Sequence, residues 1–369
     1  FFRAFDYFQL VQTFGGVPLD LGSGELKFNT TPMRYSVRNT VPEVYTKAVF
    51  PDLKLAIELL PETGRVTGGA TKTLARLMLA KAYLPYGWWL ESTIPTYPEC
   101  PRTDPDGHDK AWYFQQAYNL AVEGIENPGP FKLLDYYYDV HLGSNDRNAE
   151  VLLYADHTES SEFYDGQSHS YFGGGAPGNQ IVWFATWNYT LIRSTQKLSD
   201  GTSKEVESVQ REAAQAYGRP WSCMAPPIGV FQNTFADKTN DSRYDGTFVT
   251  TFRGNWTKGS VSDNTLYNAN GLAVHPGDIN YDSSAAKASA VAAGVMNGRS
   301  DYVIAPSHIS RGRYPNLWKL GTYRTNNGDG LGEPNGGITR PVNIAYFSEL
   351  FFVAAEAAVK GATTKHVTG

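Results

Sequence analysis

The sequence predicts a mainly α protein: a tetratricopeptide-like helical scaffold carrying a large loop-rich insertion with short strands. Three observations predict it. Apolar stripes at helical spacing fill the first third of the chain and return only near its end. Small residues sit where those helices would meet, as in stacked helix pairs. Between them, from about residue 157 to 337, helical runs give way to Gly, Asn, Ser, Thr and aromatic residues. The expected organisation is therefore scaffold over 1–156, insertion over 157–337 and scaffold again over 338–369, forming one compact domain.

Each element has its own signal. Phe5, Phe8 and Val11 place a helix over Phe1 to Thr13, ended by Phe14-Gly15-Gly16. Tyr45, Val49, Leu53, Ile57 and Leu60 form one stripe from Pro42 to Leu60. Pro51 lies inside that stripe and, lacking an amide donor, should kink the helix or start a new one. A third helix is expected over about Ala70 to Tyr86, capped by Thr67, with Ala75, Ala80 and Ala82 allowing close approach. A fourth should run from Lys110 to about Gly124 with Tyr113, Ala117, Leu120 and Ala121 on one face. The last spans about Ile344 to Lys360. Short strands are expected at Val151–Tyr154 and Thr247–Phe252.

Composition narrows the function. The 369 residues carry 32 Lys and Arg against 37 Asp and Glu, a net charge of -5, which excludes a chain built around phosphate neutralisation and hence nucleic acid as its main partner. Only 19% of residues are charged while 14% are aromatic. A low charge beside many rings suits a neutral polyhydroxylated ligand. No run of about 18 apolar residues occurs. The chain opens at Phe1 without Met and within a helix, so it is expected to be a fragment, with any signal peptide or lipidated cysteine upstream. Two cysteines, Cys100 and Cys223, exclude a disulfide framework and a Cys-rich zinc site; one bridge or two inert thiols both remain open.

Phe2-Arg3-Ala4-Phe5-Asp6-Tyr7-Phe8 leading to Phe14-Gly15-Gly16-Val17-Pro18-Leu19 resembles the R-A-x-x-Y-F-x-L-x-x-x-F-G-x-x-P run of the SusD/RagB family of Gram-negative surface lipoproteins. Val44-Tyr45, Asp52-Leu53, Ala56 and Leu59-Leu60-Pro61 resemble its V-Y…D-L…A…L-L-P run. Gly69-Ala70-Thr71-Lys72, Ala75 and Leu79-Ala80-Lys81-Ala82-Tyr83-Leu84 resemble the helix that follows. Asn240-Asp241-Ser242-Arg243-Tyr244 is similar to its internal D-x-R element. Arg340-Pro341 with Phe347 to Ala358, including Glu349 and Glu356, resembles its late A-E-containing helix. The likeness covers about residues 1–125 and 340–360. Pro51 and the Tyr346-Phe347-Ser348-Glu349 start depart from the pattern.

The resemblance implies a protein of the outward-facing surface of the outer membrane, tied to the bilayer by an N-terminal lipid anchor that lies outside this chain. It implies capture of oligosaccharide or polysaccharide and delivery to a SusC-like TonB-dependent transporter, without catalysis. The alternatives are a peptide-binding RagB-like lid protein and a glycoside hydrolase, which needs only two suitably spaced carboxylates.

For a glycan, the residues that matter are rings covering sugar C–H faces and amides pairing with hydroxyls. Trp183, Trp187, Tyr189 and Asn188 lie within seven positions, with Asn179 and Gln180 beside them and Tyr164 and Tyr171 upstream; Trp256 is a further candidate. The plainer alternative is that Trp183 and Trp187, four apart, share one buried helical face. Trp112 and Trp318 are expected to be structural, and at least one of Trp88 and Trp89 to pack between scaffold and insertion. Asp104, Asp106 and Asp109 surround a glycine turn with the oxygen content of a calcium loop, although the simpler expectation is an Asp-rich turn capping the next helix; no other cofactor is expected. The seven histidines show no metal spacing, and no G-x-S-x-G elbow or phosphate loop occurs. Arg243 with Asp241 or Asp245 is expected to be a structural ion pair.

Overall fold

The structure, a computed structural model, describes residues 1–19, 37–66, 68–93, 102–156, 181–268, 271–277, 304, 309–324, 327–335 and 340–366. In chain order its regular elements are α1 (Phe2–Phe14), α2 (Val41–Val44), α3 (Phe50–Leu59), α4 (Lys72–Glu91), α5 (Lys110–Glu126), α6 (Tyr137–Val140), β1 (Val151–Ala155), α7 (Ile181–Phe184), β2 (Arg193–Lys197), β3 (Ser203–Glu207), β4 (Phe248–Val249), β5 (Leu266–Tyr267), β6 (Ala273–Val274), β7 (Asn316–Leu317), β8 (Val342–Tyr346) and α8 (Ser348–Val359). The mainly helical scaffold with a loop-rich insertion is present as predicted.

The single compact domain is not. The chain divides into two compact units, one of Phe1–Leu133, Arg147–Ala155 and Asn343–Gly369, the other of Leu134–Asp146 and Asp156–Val342. Residues 134–146, expected in the scaffold, join the second unit for a clear reason. The buried guanidinium of Arg340 donates to both carboxylate oxygens of Asp146, at 2.9 and 2.8 Å, and to the carbonyls of His141 and Gly321. Gln215 adds bonds to the Gly143 amide and the His141 carbonyl.

In the first unit α4 is the central helix, packing on α3 and α5, and α5 in turn packs on α8. Thr71, rather than Thr67, caps α4 by accepting the Leu74 amide; Thr67 lies outside the described residues. Small residues set the spacing. A Cβ on Gly87 of α4 would lie 2.8 Å from the Phe114 ring of α5, and one on Gly124 of α5 would lie 2.9 Å from Leu350 of α8. Pro51 stands in the first turn of α3, where a missing amide donor is tolerated, in keeping with the expected new start. A π-helical turn, Tyr45–Val49, precedes it, with the Phe50 amide reaching back five residues to the Tyr45 carbonyl, and this wider turn accommodates the missing donor. Arg3 of α1 grips Asp52 of α3 with two bonds of 2.6 Å. The last helix is shorter than expected: residues from Val342 to Tyr346 form β8, which pairs with β1, and the helix begins only at Ser348. Its entry is fixed by the Phe347 amide donating to the Glu150 carbonyl at 2.7 Å.

The second unit has two small sheets, an antiparallel one in the order β3-β2-β5-β6 and the pair β4-β7. The strand expected over Thr247–Phe252 shrinks to Phe248–Val249. Among its described residues the buried rings fall in several clusters: Trp187, Tyr189 and Phe252 in one, Trp256 with Leu266 in another, Trp183 with Val182 in a third. Cys223 is an exposed free thiol; Cys100 lies outside the described residues. No helix among the described residues is long and apolar enough to cross a membrane.

Candidate functional site

Of the rings expected to form a platform, the four that lie among the described residues are core. Trp183 and Trp187 are 1% exposed, and Tyr189 and Trp256 fully buried. Trp187 meets Phe252 edge-on and Tyr189 stacks on it at 5.4 Å, its hydroxyl donating to the Gly218 carbonyl. The Trp256 indole donates to the Asp263 carbonyl at 2.6 Å. Trp183 packs against Trp221, with the Arg219 guanidinium about 5 Å from both rings. Half-buried Asn188 accepts the Thr190 hydroxyl. The physical reason is that a loop-rich unit lacks helical apolar faces, so its largest side chains must supply the core. Tyr164, Tyr171, Asn179 and Gln180 lie outside the described residues.

The Asp turn serves the scaffold. Asp109 caps α5 by accepting the Trp112 amide at 2.9 Å, and Asp104 accepts the Tyr86 hydroxyl and the His108 amide. Asp104, Asp106 and Asp109 do not converge, and no group of three metal-binding side chains occurs among the described residues. Arg243 pairs with Asp241, at 2.8 and 2.6 Å, as a surface ion pair.

The structure brings forward Trp88, one of the adjacent pair of which at least one was expected to pack. All eight tryptophans are described, and Trp88 alone is exposed, at 44%. It lines a cleft of about 440 Å³ in the first unit, within the size range of small-molecule sites. The cleft is bounded by Gln12, Phe14, Gly15 and Arg38 near the end of α1 and by Pro85, Trp88, Trp89 and Arg102 near the end of α4. Pro85, which cannot continue the helical amide ladder, sits in this wall.

The site is held rigidly. The Trp88 indole donates to Glu356 at 2.7 Å, and the Lys360 ammonium sits 3.6 Å from the ring centroid. Lys360 also pairs with Glu91, as does Lys110, and these bonds lower the Glu91 pKa. Behind the cleft runs a ladder of rings: Tyr45 meets Tyr86 at 4.8 Å, Tyr86 stacks on Trp89 at 5.7 Å, and the Arg102 guanidinium covers Trp89 at 5.0 Å. Arg102 also donates to the Trp89 carbonyl. Burial pushes the Tyr45 and Tyr86 hydroxyls up, so both stay neutral, and Gln12 donates to Tyr45. One fixed open ring beside amide and guanidinium donors can stack on a sugar face and pair with its hydroxyls. Adjacent side chains on a helix point about 100° apart, so Trp89 packs on Tyr86 while Trp88 stays open.

Residues 1–84 match the family model SusD-like_3, described as "Starch-binding associating with outer membrane". No curated protein sequence matches the chain. Among solved structures, a laminarin-binding SusD-like protein is 18% identical, with a TM-score of 0.53 over 98% of this chain and 59% of its own. Surface glycan-binding protein A from Bacteroides thetaiotaomicron, in complex with laminarihexaose, is 15% identical, with a TM-score of 0.52 over 98% of this chain and 57% of its own. A structure with a xylogluco-oligosaccharide is 17% identical, with a TM-score of 0.52 over 97% of this chain and 52% of its own. The chain thus spans between half and three-fifths of the length of these structures.

Proposed function

We propose that this chain, SusD-like in its first 84 residues and in its fold, belongs to a surface glycan-binding protein of the outer membrane. In this reading the whole protein is lipid-anchored outside the segment described and passes oligosaccharide to a SusC-like TonB-dependent transporter. It binds and does not cleave. Two kinds of support meet here: structures of the same fold that carry laminarihexaose or a xylogluco-oligosaccharide, and the single observation that carries the site, the one exposed tryptophan standing over a cleft.

Isothermal titration with a panel of neutral and acidic oligosaccharides tests it. Binding without release of reducing ends is expected. Trp88→Ala should weaken it roughly tenfold, the effect of losing a stacked ring and the water it excludes, while the melting temperature stays within a few degrees. Unchanged affinity in Trp88→Ala would move the site elsewhere; binding of peptides but no glycan would favour the RagB-like alternative.

A further inference from the structure

We propose that the Trp88 cleft takes glycans bearing a carboxylate, such as hexuronate residues, and that Arg38 holds the acid. This rests on the reading of the cleft as a glycan site. Two guanidiniums and no carboxylate occur among its described lining residues. Arg38 is oriented from one side. Its Nε donates to the Gly16 carbonyl at 2.6 Å and its Nη2 to the Phe14 carbonyl at 2.8 Å, which places the cation at the negative end of α1. Gly15 makes room for it: at φ 71° this position favours glycine, and a Cβ there would stand 3.1 Å from Nη2.

Those two carbonyls occupy one edge of the planar fork. The other edge, Nη1 with the second Nη2 proton, has no acceptor among the described residues, and Arg38 has no acidic partner among them. A carboxylate accepts two parallel N–H bonds from such an edge, a match that neutral hydroxyls do not make. The orienting bonds also remove side-chain freedom before a ligand arrives. With Trp88 in the same cleft, the arrangement supplies a ring for the sugar face and a fork for its acid.

The test uses the full 369-residue chain, with hexagalacturonate and laminarihexaose as acidic and neutral probes, titrated at low and high salt. Hexagalacturonate should bind more tightly than laminarihexaose, and its affinity should fall as salt rises. Arg38→Gln should weaken hexagalacturonate roughly tenfold or more, the effect of losing a charge-assisted pair, with any laminarihexaose affinity weakened by a clearly smaller factor, since a neutral sugar loses only a hydroxyl contact there. Arg38→Lys keeps a charge and a carbonyl donor but not the fork, so it should also lose most of the preference; it decides the matter if Arg38→Gln melts early. Equal hexagalacturonate affinity in wild type and both variants overturns the proposal, as does binding of the neutral probe alone, and either result leaves the glycan reading standing. Failure to bind any member of the wider glycan panel overturns both.

Discussion

Arg340 and His141 show how single side chains hold the second unit together. Arg340 and Asp146 are each less than 10% exposed. Removing one partner strands the other as an uncompensated buried charge. Arg340→Met is therefore expected to cost about 3–5 kcal/mol in denaturant unfolding, with much of the loss recovered in Arg340→Met/Asp146→Leu. Equal stability of the single and double variants would contradict this. His141 titrates in the same pocket of charge. Burial first, then Lys319 and Arg340, pushes its imidazole down to about 4, from an ordinary value near 6.5. The fold thus holds His141 neutral, whereas the unfolded chain takes up its proton below about pH 6.5. Its contribution is complete above that value and fades as pH falls toward 4, by up to about 3 kcal/mol. Unfolding midpoints measured between pH 7.5 and 4.5 should fall less steeply in His141→Leu; an identical slope would remove the assignment.

At the scale of elements, the helices were legible and their edges were not. Periodicity located α1 and α5, each of which buries one face, while α4, buried along most of its length, was located by its small residues. It did not locate β8, whose residues mimic the start of a helix and become a strand only by pairing with β1. Nor did it foresee the π-helical turn before Pro51, a local answer to a missing donor. Gly87 shows what the helix contact demands. Gly87→Ala should improve helix propensity, yet it places a methyl 2.8 Å from the Phe114 ring. The overlap is expected to win, lowering stability by about 1–3 kcal/mol, and Phe114→Leu in the same chain should restore part of it. A stabilised Gly87→Ala would show that α4 and α5 have slack.

Across the whole molecule, the tryptophans are distributed unevenly between core and surface. Only Trp88 is exposed, so iodide should quench a minor fraction of the indole emission, and Trp88→Phe should abolish most of that fraction. A bound glycan should protect it. Quenching that survives Trp88→Phe would mean that other indoles are open. The excess of aromatics over charge was visible from composition, and its division between packing and recognition was not. By itself the sequence determined the helical scaffold, the loop-rich insertion and the family likeness of the first 84 residues, because these depend on local periodicity and short motifs. Only the tertiary structure decided that Trp183, Trp187, Tyr189 and Trp256 are core while Trp88 is open. Burial of a ring depends on which distant residues pack over it, and no spacing along the chain records that.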